Sequence, residues 1–222
     1  MKYPFSISVW LSFILLLNCA AHTNLEPTGK GKFSANFSIG GPIVTVFGTK
    51  MPVPYATAGG SYGLNNNYDL NGNLHLLPLS YKIFGFDFSS TWYPVINNGK
   101  IPTIGIQPCF LTFISLKSHI NERFKMYPIV SGSAAWDVKR GLIYTGTNVA
   151  MPLSLSDYDE DASHTILSPF IGYRWTIGRF TYILTEIKWH GANIRTDQLA
   201  VEYIHLRNHG ALSILFSIQR IF

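Results

Sequence analysis

The residues best equipped for chemistry fall in two stretches. Asp157-Tyr158-Asp159-Glu160-Asp161-Ala162-Ser163-His164 is the densest charge run in the chain. Carboxylate oxygens closely spaced on a loop are what Ca²⁺ or Mg²⁺ requires. The run lacks the ordered ligand spacing and the glycine of an EF-hand, so a solvated acidic loop is expected and no metal or other cofactor is assigned. Ser163 and His164 join a nucleophile type to a base type. Neighbours on an extended chain point to opposite faces, so the two cooperate only within an irregular loop. His190, Asp197, Glu202 and His205 could converge near the end of the chain. No G-x-S-x-G or H-E-x-x-H motif occurs, and no catalytic residue is assigned.

The N-terminus is built for export. Lys2 precedes an apolar run from Phe5 to Leu17, and small residues follow at Cys19, Ala20 and Ala21. That is the layout of a secretory signal peptide, expected over residues 1–18, and the run is too short to span a bilayer as a helix. Leu16-Leu17-Asn18-Cys19-Ala20 resembles the lipobox of bacterial lipoproteins. The resemblance implies a diacylated Cys19 and a lipid-anchored or flexible tether over residues 19–30. Asn18 departs from the pattern, which prefers Gly, Ala or Ser before the Cys. Ordinary cleavage after Ala21 is the alternative and would discard Cys19. Either way Cys109 has no disulfide partner within the chain and reads as a small apolar residue in a strand.

The elements that carry these residues follow from composition and period. The 222 residues are 47% hydrophobic and 14% aromatic but only 13% charged, against roughly 25% in an average globular protein. Such a chain is not disordered, and beyond the N-terminus it has no apolar run long enough for a membrane helix. Alternation is the dominant signal. Phe33, Ala35, Phe37 and Ile39 alternate with Ser34, Asn36 and Ser38. Phe84, Phe86 and Phe88 alternate with Gly85, Asp87 and Ser89, and Ile171, Tyr173, Trp175 and Ile177 with Gly172, Arg174 and Thr176. Period 2 means strands with one oily and one polar face. No convincing helix is expected after residue 30.

Three features favour a transmembrane barrel over a soluble sandwich. The segments run to about 9–11 residues, as tilted membrane strands do. Asp69, Asp87, Arg174, Glu186 and Lys188 all fall on the polar phase. A Lys or Arg on the lipid face would cost roughly 2–4 kcal/mol at mid-membrane, and Arg220, the exception, lies two residues from the chain end. Tyr62, Trp92, Trp136 and Trp175 each stand near the end of a strand, just before a short turn, and Phe222 closes the last strand. These five residues are expected to form one membrane-interface girdle.

Up-and-down parity then gives ten strands, over residues 31–40, 55–64, 68–77, 84–93, 101–113, 127–137, 142–151, 166–177, 180–190 and 210–222. Eight and twelve strands are the alternative counts. Residues 198–206 also look extended and are expected in the last external loop. The fold class is therefore all-β, a single antiparallel up-and-down transmembrane barrel over residues 31–222. Asp87, Arg174, Glu186 and Lys188 are expected to form a polar lumen network, with Glu186 and Lys188 pairing to Arg174 and Asp87 across neighbouring strands.

Ser213 to Phe222 resembles the terminal β-signal of bacterial outer-membrane proteins, on Phe216, Ile218 and Phe222, with Arg220 off the pattern. The resemblance implies handling by the barrel-assembly machinery and residence in the bacterial outer membrane. A barrel of this size leaves no wide channel. The expected role is structural, surface-interacting or ligand-binding, not that of an open porin. Lys117, Arg123 and Lys125 offer positive charge to outer-membrane lipids and lipopolysaccharide. No basic stripe suggests nucleic acid. The alternative is a barrel enzyme. Resemblance to lipid A deacylases, eight-stranded barrels with a Ser/His pair near the membrane edge, or to omptin proteases, ten-stranded barrels with Asp and His in their outer loops, would imply action on lipid A or peptides.

Overall fold

The computed structural model describes residues 23–46, 48–97, 99, 101–117, 124–151, 165–196 and 203–222. Its strands are β1 (Phe33–Val46), β2 (Thr49–Pro52), β3 (Tyr55–Gly63), β4 (Tyr68–His75), β5 (Ile83–Val95) and β6 (Thr103–Ser115). They continue as β7 (Phe124–Val138), β8 (Gly141–Ala150), β9 (Ile166–Thr176), β10 (Thr181–Arg195) and β11 (His209–Ile221). One helical turn, α1 (Leu76–Ser80), joins β4 to β5, where continuous strand and turn are expected from sequence.

Neighbouring strands pair antiparallel in chain order, and β11 returns to β1, from Ser34↔Ile221 to Pro42↔Ser213. Ten strands thus close a barrel. The extra strand, β2, folds back only on the far end of β1, through Ile43↔Pro52 to Val46↔Thr49. This hairpin explains why β1 runs six residues past its expected end. Short connections at residues 64–67, 96–102, 139–140 and 177–180 all lie at one end of the barrel. The other end carries β2, α1 and the remaining connections. Tyr203 bridges to Val44 there, so the described part of the 198–206 stretch stands beside the extended end of β1.

The alternation resolves into an inside and an outside. Ser34, Asn36, Ser38, Asn71, Asn73, Asp87, Ser89 and Glu186 are buried, while Phe37, Ile39, Phe88, Ile171, Ile187, Phe216 and Ile218 are exposed. Phe88 shows 53% of its surface and Lys188 only 1%. A water-soluble protein does the reverse, and a continuous apolar belt of this extent requires an apolar solvent. The closed wall also pairs both edges of each of its ten strands, which hydrocarbon demands. This is the fold of a bacterial outer-membrane β-barrel.

Candidate functional site

The interior is the place to look for function, and the chain itself fills it. Residues 23–32, read from sequence as part of a tether, enter the lumen at the short-turn end. Thr28 donates from both its backbone N–H and its hydroxyl to Asp69 Oδ2, at 2.8 and 2.9 Å. The hydroxyl of Tyr93 donates to the carbonyl of Glu26 at 3.1 Å. Asn24 donates to Asn71 Oδ1 at 2.7 Å and accepts from Ser61 at 3.3 Å. Deepest of the strap's side-chain contacts, Thr23 Oγ1 donates to Glu186 Oε2 at 3.0 Å. Leu25 packs among Ala135, Leu142, Tyr144, Phe170 and Leu184. Fully burying one leucine is worth roughly 1.5–3 kcal/mol. Gly63 makes the entry possible, because a Cβ there would lie 2.0 Å from the carbonyl oxygen of Gly29.

Charged groups run from the short-turn mouth, where Arg174 and Glu26 lie, inward to Glu186, Lys188 and Asp87. Lys188 Nζ lies 2.9 Å from Glu186 Oε1 and 5.3 Å from the Phe170 ring centroid. The guanidinium of Arg174 pairs with Glu26 and stacks on Tyr182 at 4.4 Å. Asp87 accepts from Asn73 at 2.8 Å and from His75 Nε2 at 2.9 Å. His75 Nδ1 lies within hydrogen-bond distance of the Tyr55 hydroxyl, at 2.7 Å. Tyr55, His75 and Asp87 are all buried, so this relay holds the wall together and meets no solvent.

Above this layer the interior turns apolar. Leu111, Phe113, Tyr127, Ile129, Ala150, Ile166 and Ile194 form one cluster, with Cys109 packed against it. Leu77 of α1 packs on Tyr55 and Leu215, and Val44, Tyr203 and Ala211 gather at the far end. Strap, charge layer and apolar layer therefore stack along the barrel axis.

The expected network residues Asp87, Arg174, Glu186 and Lys188 all point into this interior, with partners other than those anticipated. Glu186 and Lys188 pair with each other, two residues apart on β10, while Arg174 takes Glu26 and Asp87 takes His75. Sequence reasoning missed Glu26, Thr28 and Asp69 as strap contacts, and His75 as the partner of Asp87. His75 stood on the polar phase of the neighbouring strand, which was the available signal. Glu26 lies 148 residues from Arg174, and no local pattern links them.

Tyr62, Trp92, Trp136, Trp175 and Phe222 lie on the outer face toward the short-turn end, and all are exposed. Trp92 stacks with Tyr68 and Phe222 with Phe33, at centroid distances of 6.3 Å in both pairs. Cys19, Ser163, His164, Asp197, Glu202 and the acidic run Asp157–Asp161 lie outside the described residues. His190 is buried in the wall and His205 is exposed beyond it, so the structure does not bring these two into one site. Among the described residues no group of three or more His, Cys, Asp or Glu could hold a metal ion.

No protein-family model matches the chain, and comparison with curated proteins gives no match. Solved structures with a similar fold include the translocator domain of the autotransporter NalP from Neisseria meningitidis. It is 10% identical with a TM-score of 0.43, and the alignment covers 96% of this chain and 93% of that one. An outer-membrane channel from Pseudomonas putida F1 is 6% identical with a TM-score of 0.49, over 91% of this chain and 99% of that one. The outer-membrane protease OmpT from Escherichia coli is 9% identical with a TM-score of 0.44, over 90% and 99%. Among themselves these proteins differ in role, so the likeness is one of architecture alone.

Proposed function

We propose that this chain is a closed outer-membrane barrel that presents a surface or holds a ligand, rather than a conduit for solutes. The observation that carries the reading is the seating of residues 23–28 inside the lumen, through Asp69, Asn71, Glu186 and the Leu25 cluster. An open porin keeps a continuous aqueous path, whereas here side chains from the strap and wall occupy the axis. The girdle residues would mark the inner membrane interface and the buried charges would act as an internal brace. The external end would meet lipopolysaccharide, with Lys117 and Lys125 among its described cations. The β11 strand ending in Phe222 would serve the assembly machinery.

Acylation of Cys19 belongs to the same proposal under a geometric constraint. Thr23 is held inside the barrel, and four extended residues reach at most about 14 Å. A lipid anchor and a seated strap thus compete for the same few residues. Intact-mass analysis of membrane-extracted protein tests the anchor. A diacylated Cys19 supports it, and an unmodified chain beginning at His22 refutes it.

The sealed-barrel reading is tested by reconstitution into planar bilayers. Folded protein, identified by faster gel mobility without boiling, is expected to give no stable conductance steps. Regular ohmic steps from the intact chain would overturn it.

A further inference from the structure

The short-turn mouth of the barrel holds a cavity of about 400 Å³ between the strap and the rims of β9, β10 and β11. Its charged lining is one-sided. Lys32, Arg174 and Arg179 contribute three cations against the single carboxylate of Glu26. Asp69 lies nearby but is engaged by Thr28. Arg174 is 7% exposed, with its guanidinium carbon over the Tyr182 ring, 4.4 Å from the centroid. Its bond to Glu26 uses one Nη, and its buried Nε has no hydrogen-bond partner among the described residues. Arg179 stands at the rim over the Phe180 ring, 5.3 Å from the centroid, and among the described residues neither it nor Lys32 forms an ion pair with a carboxylate.

We infer that this mouth is a binding site for a phosphate group. Three cations against Glu26 and the adjacent Asp69 leave the mouth net positive, which favours an anion. Arginine forks suit phosphate oxygens, and low-dielectric walls strengthen the attraction. A volume of this size falls at the small end of ligand sites, enough for a phosphate with a modest substituent. Incoming phosphate would share Arg174 with Glu26, so occupancy also loosens the hold of Arg174 on the strap. The phosphate could come from a soluble ester or from a lipid headgroup bent over the rim. The proposal depends on the barrel reading only for which compartment the mouth faces.

The test uses the full mature chain folded in detergent, titrated calorimetrically with inorganic phosphate against a chloride background of constant ionic strength. Saturable one-site binding is expected. Arg179→Ala, a rim change outside the strap contacts, should weaken it roughly tenfold, as loss of a charge-assisted contact does. Arg220→Ala removes the same charge on the outer face and should leave the affinity unchanged. Parallel melts in phosphatidylcholine nanodiscs with and without phosphatidic acid distinguish the sources. A shift with the lipid assigns a headgroup, and a shift with free phosphate alone assigns a soluble ester. Absence of saturable phosphate binding, or equal weakening by Arg179→Ala and Arg220→Ala, would overturn the inference. Retained heat-modifiable mobility in each variant separates that failure from failure of the barrel itself.

Discussion

Glu186→Gln puts the dryness of the lumen to a quantitative test. Lys188 is 1% exposed, and its ammonium has Glu186 Oε1 at 2.9 Å as its counter-ion. The neutral amide can still accept the hydroxyl proton of Thr23, so the strap contact survives and the main loss is one charge. Breaking a buried pair from one side leaves an uncompensated ion and costs roughly 3–5 kcal/mol, whereas a solvent-exposed pair is worth about 0–1 kcal/mol. Lys188→Met should be similarly costly, because it strands the carboxylate. The double variant strands neither charge and is expected within about 1 kcal/mol of the parent, since apolar or neutral replacements of both partners are often tolerated. The assay is urea unfolding of vesicle-inserted protein followed by tryptophan fluorescence and by gel mobility, with midpoints compared at constant slope. A Glu186→Gln cost below about 1 kcal/mol would mean that water already solvates Lys188, and the sealed interior would be wrong.

Placement in lipid predicts a depth gradient on the outer face. Phe88→Arg, in the middle of β5, should cost roughly 2–4 kcal/mol in vesicle-inserted unfolding, and Phe222→Arg at the rim only about 0–1 kcal/mol. Deleting residues 23–28 should lower the unfolding midpoint, because the contacts to Asp69, Asn71, Glu186 and the Leu25 cluster are lost, with ten-strand closure retained by heat-modifiable mobility. Leu25→Ala should lower stability by roughly 2–4 kcal/mol in the same unfolding assay, because the strap packs into a preformed apolar cluster. Cys109 should resist a bulky maleimide in the folded barrel and react fully in urea, as its position against Leu111 and Ile129 implies.

Strand number, order and sidedness were legible because a membrane barrel writes them locally. Each strand must alternate, and each short turn must be announced by Gly, Asn or Lys. The upper part of β6 and β7 was least legible, since Cys109, Leu111, Phe113, Tyr127 and Ile129 face inward and are apolar, so the two faces barely differ. The strap was invisible for another reason. Thr23 to Lys32 is short, polar and rich in Gly and Pro, which composition alone equates with a loose linker. Its order comes from Asp69, Asn71, Arg174 and Glu186, supplied by strands far along the chain. The polar phase put the charged residues on one face of their strands but could not say who pairs with whom. Register and side-chain reach decide that, as in the same-strand contact of Glu186 with Lys188.

Spin labels placed singly from Phe86 to Thr91 along β5 would separate lipid, water and packed protein residue by residue, read in vesicles by collision with oxygen and with a water-soluble nickel chelate. Phe86, Phe88 and Ser90 should show high oxygen and low nickel accessibility, while Asp87, Ser89 and Thr91 should show neither. Nickel access at the even positions would put that face in water, and nickel access at the odd ones would open the lumen; either contradicts a lipid-bathed, self-sealed barrel.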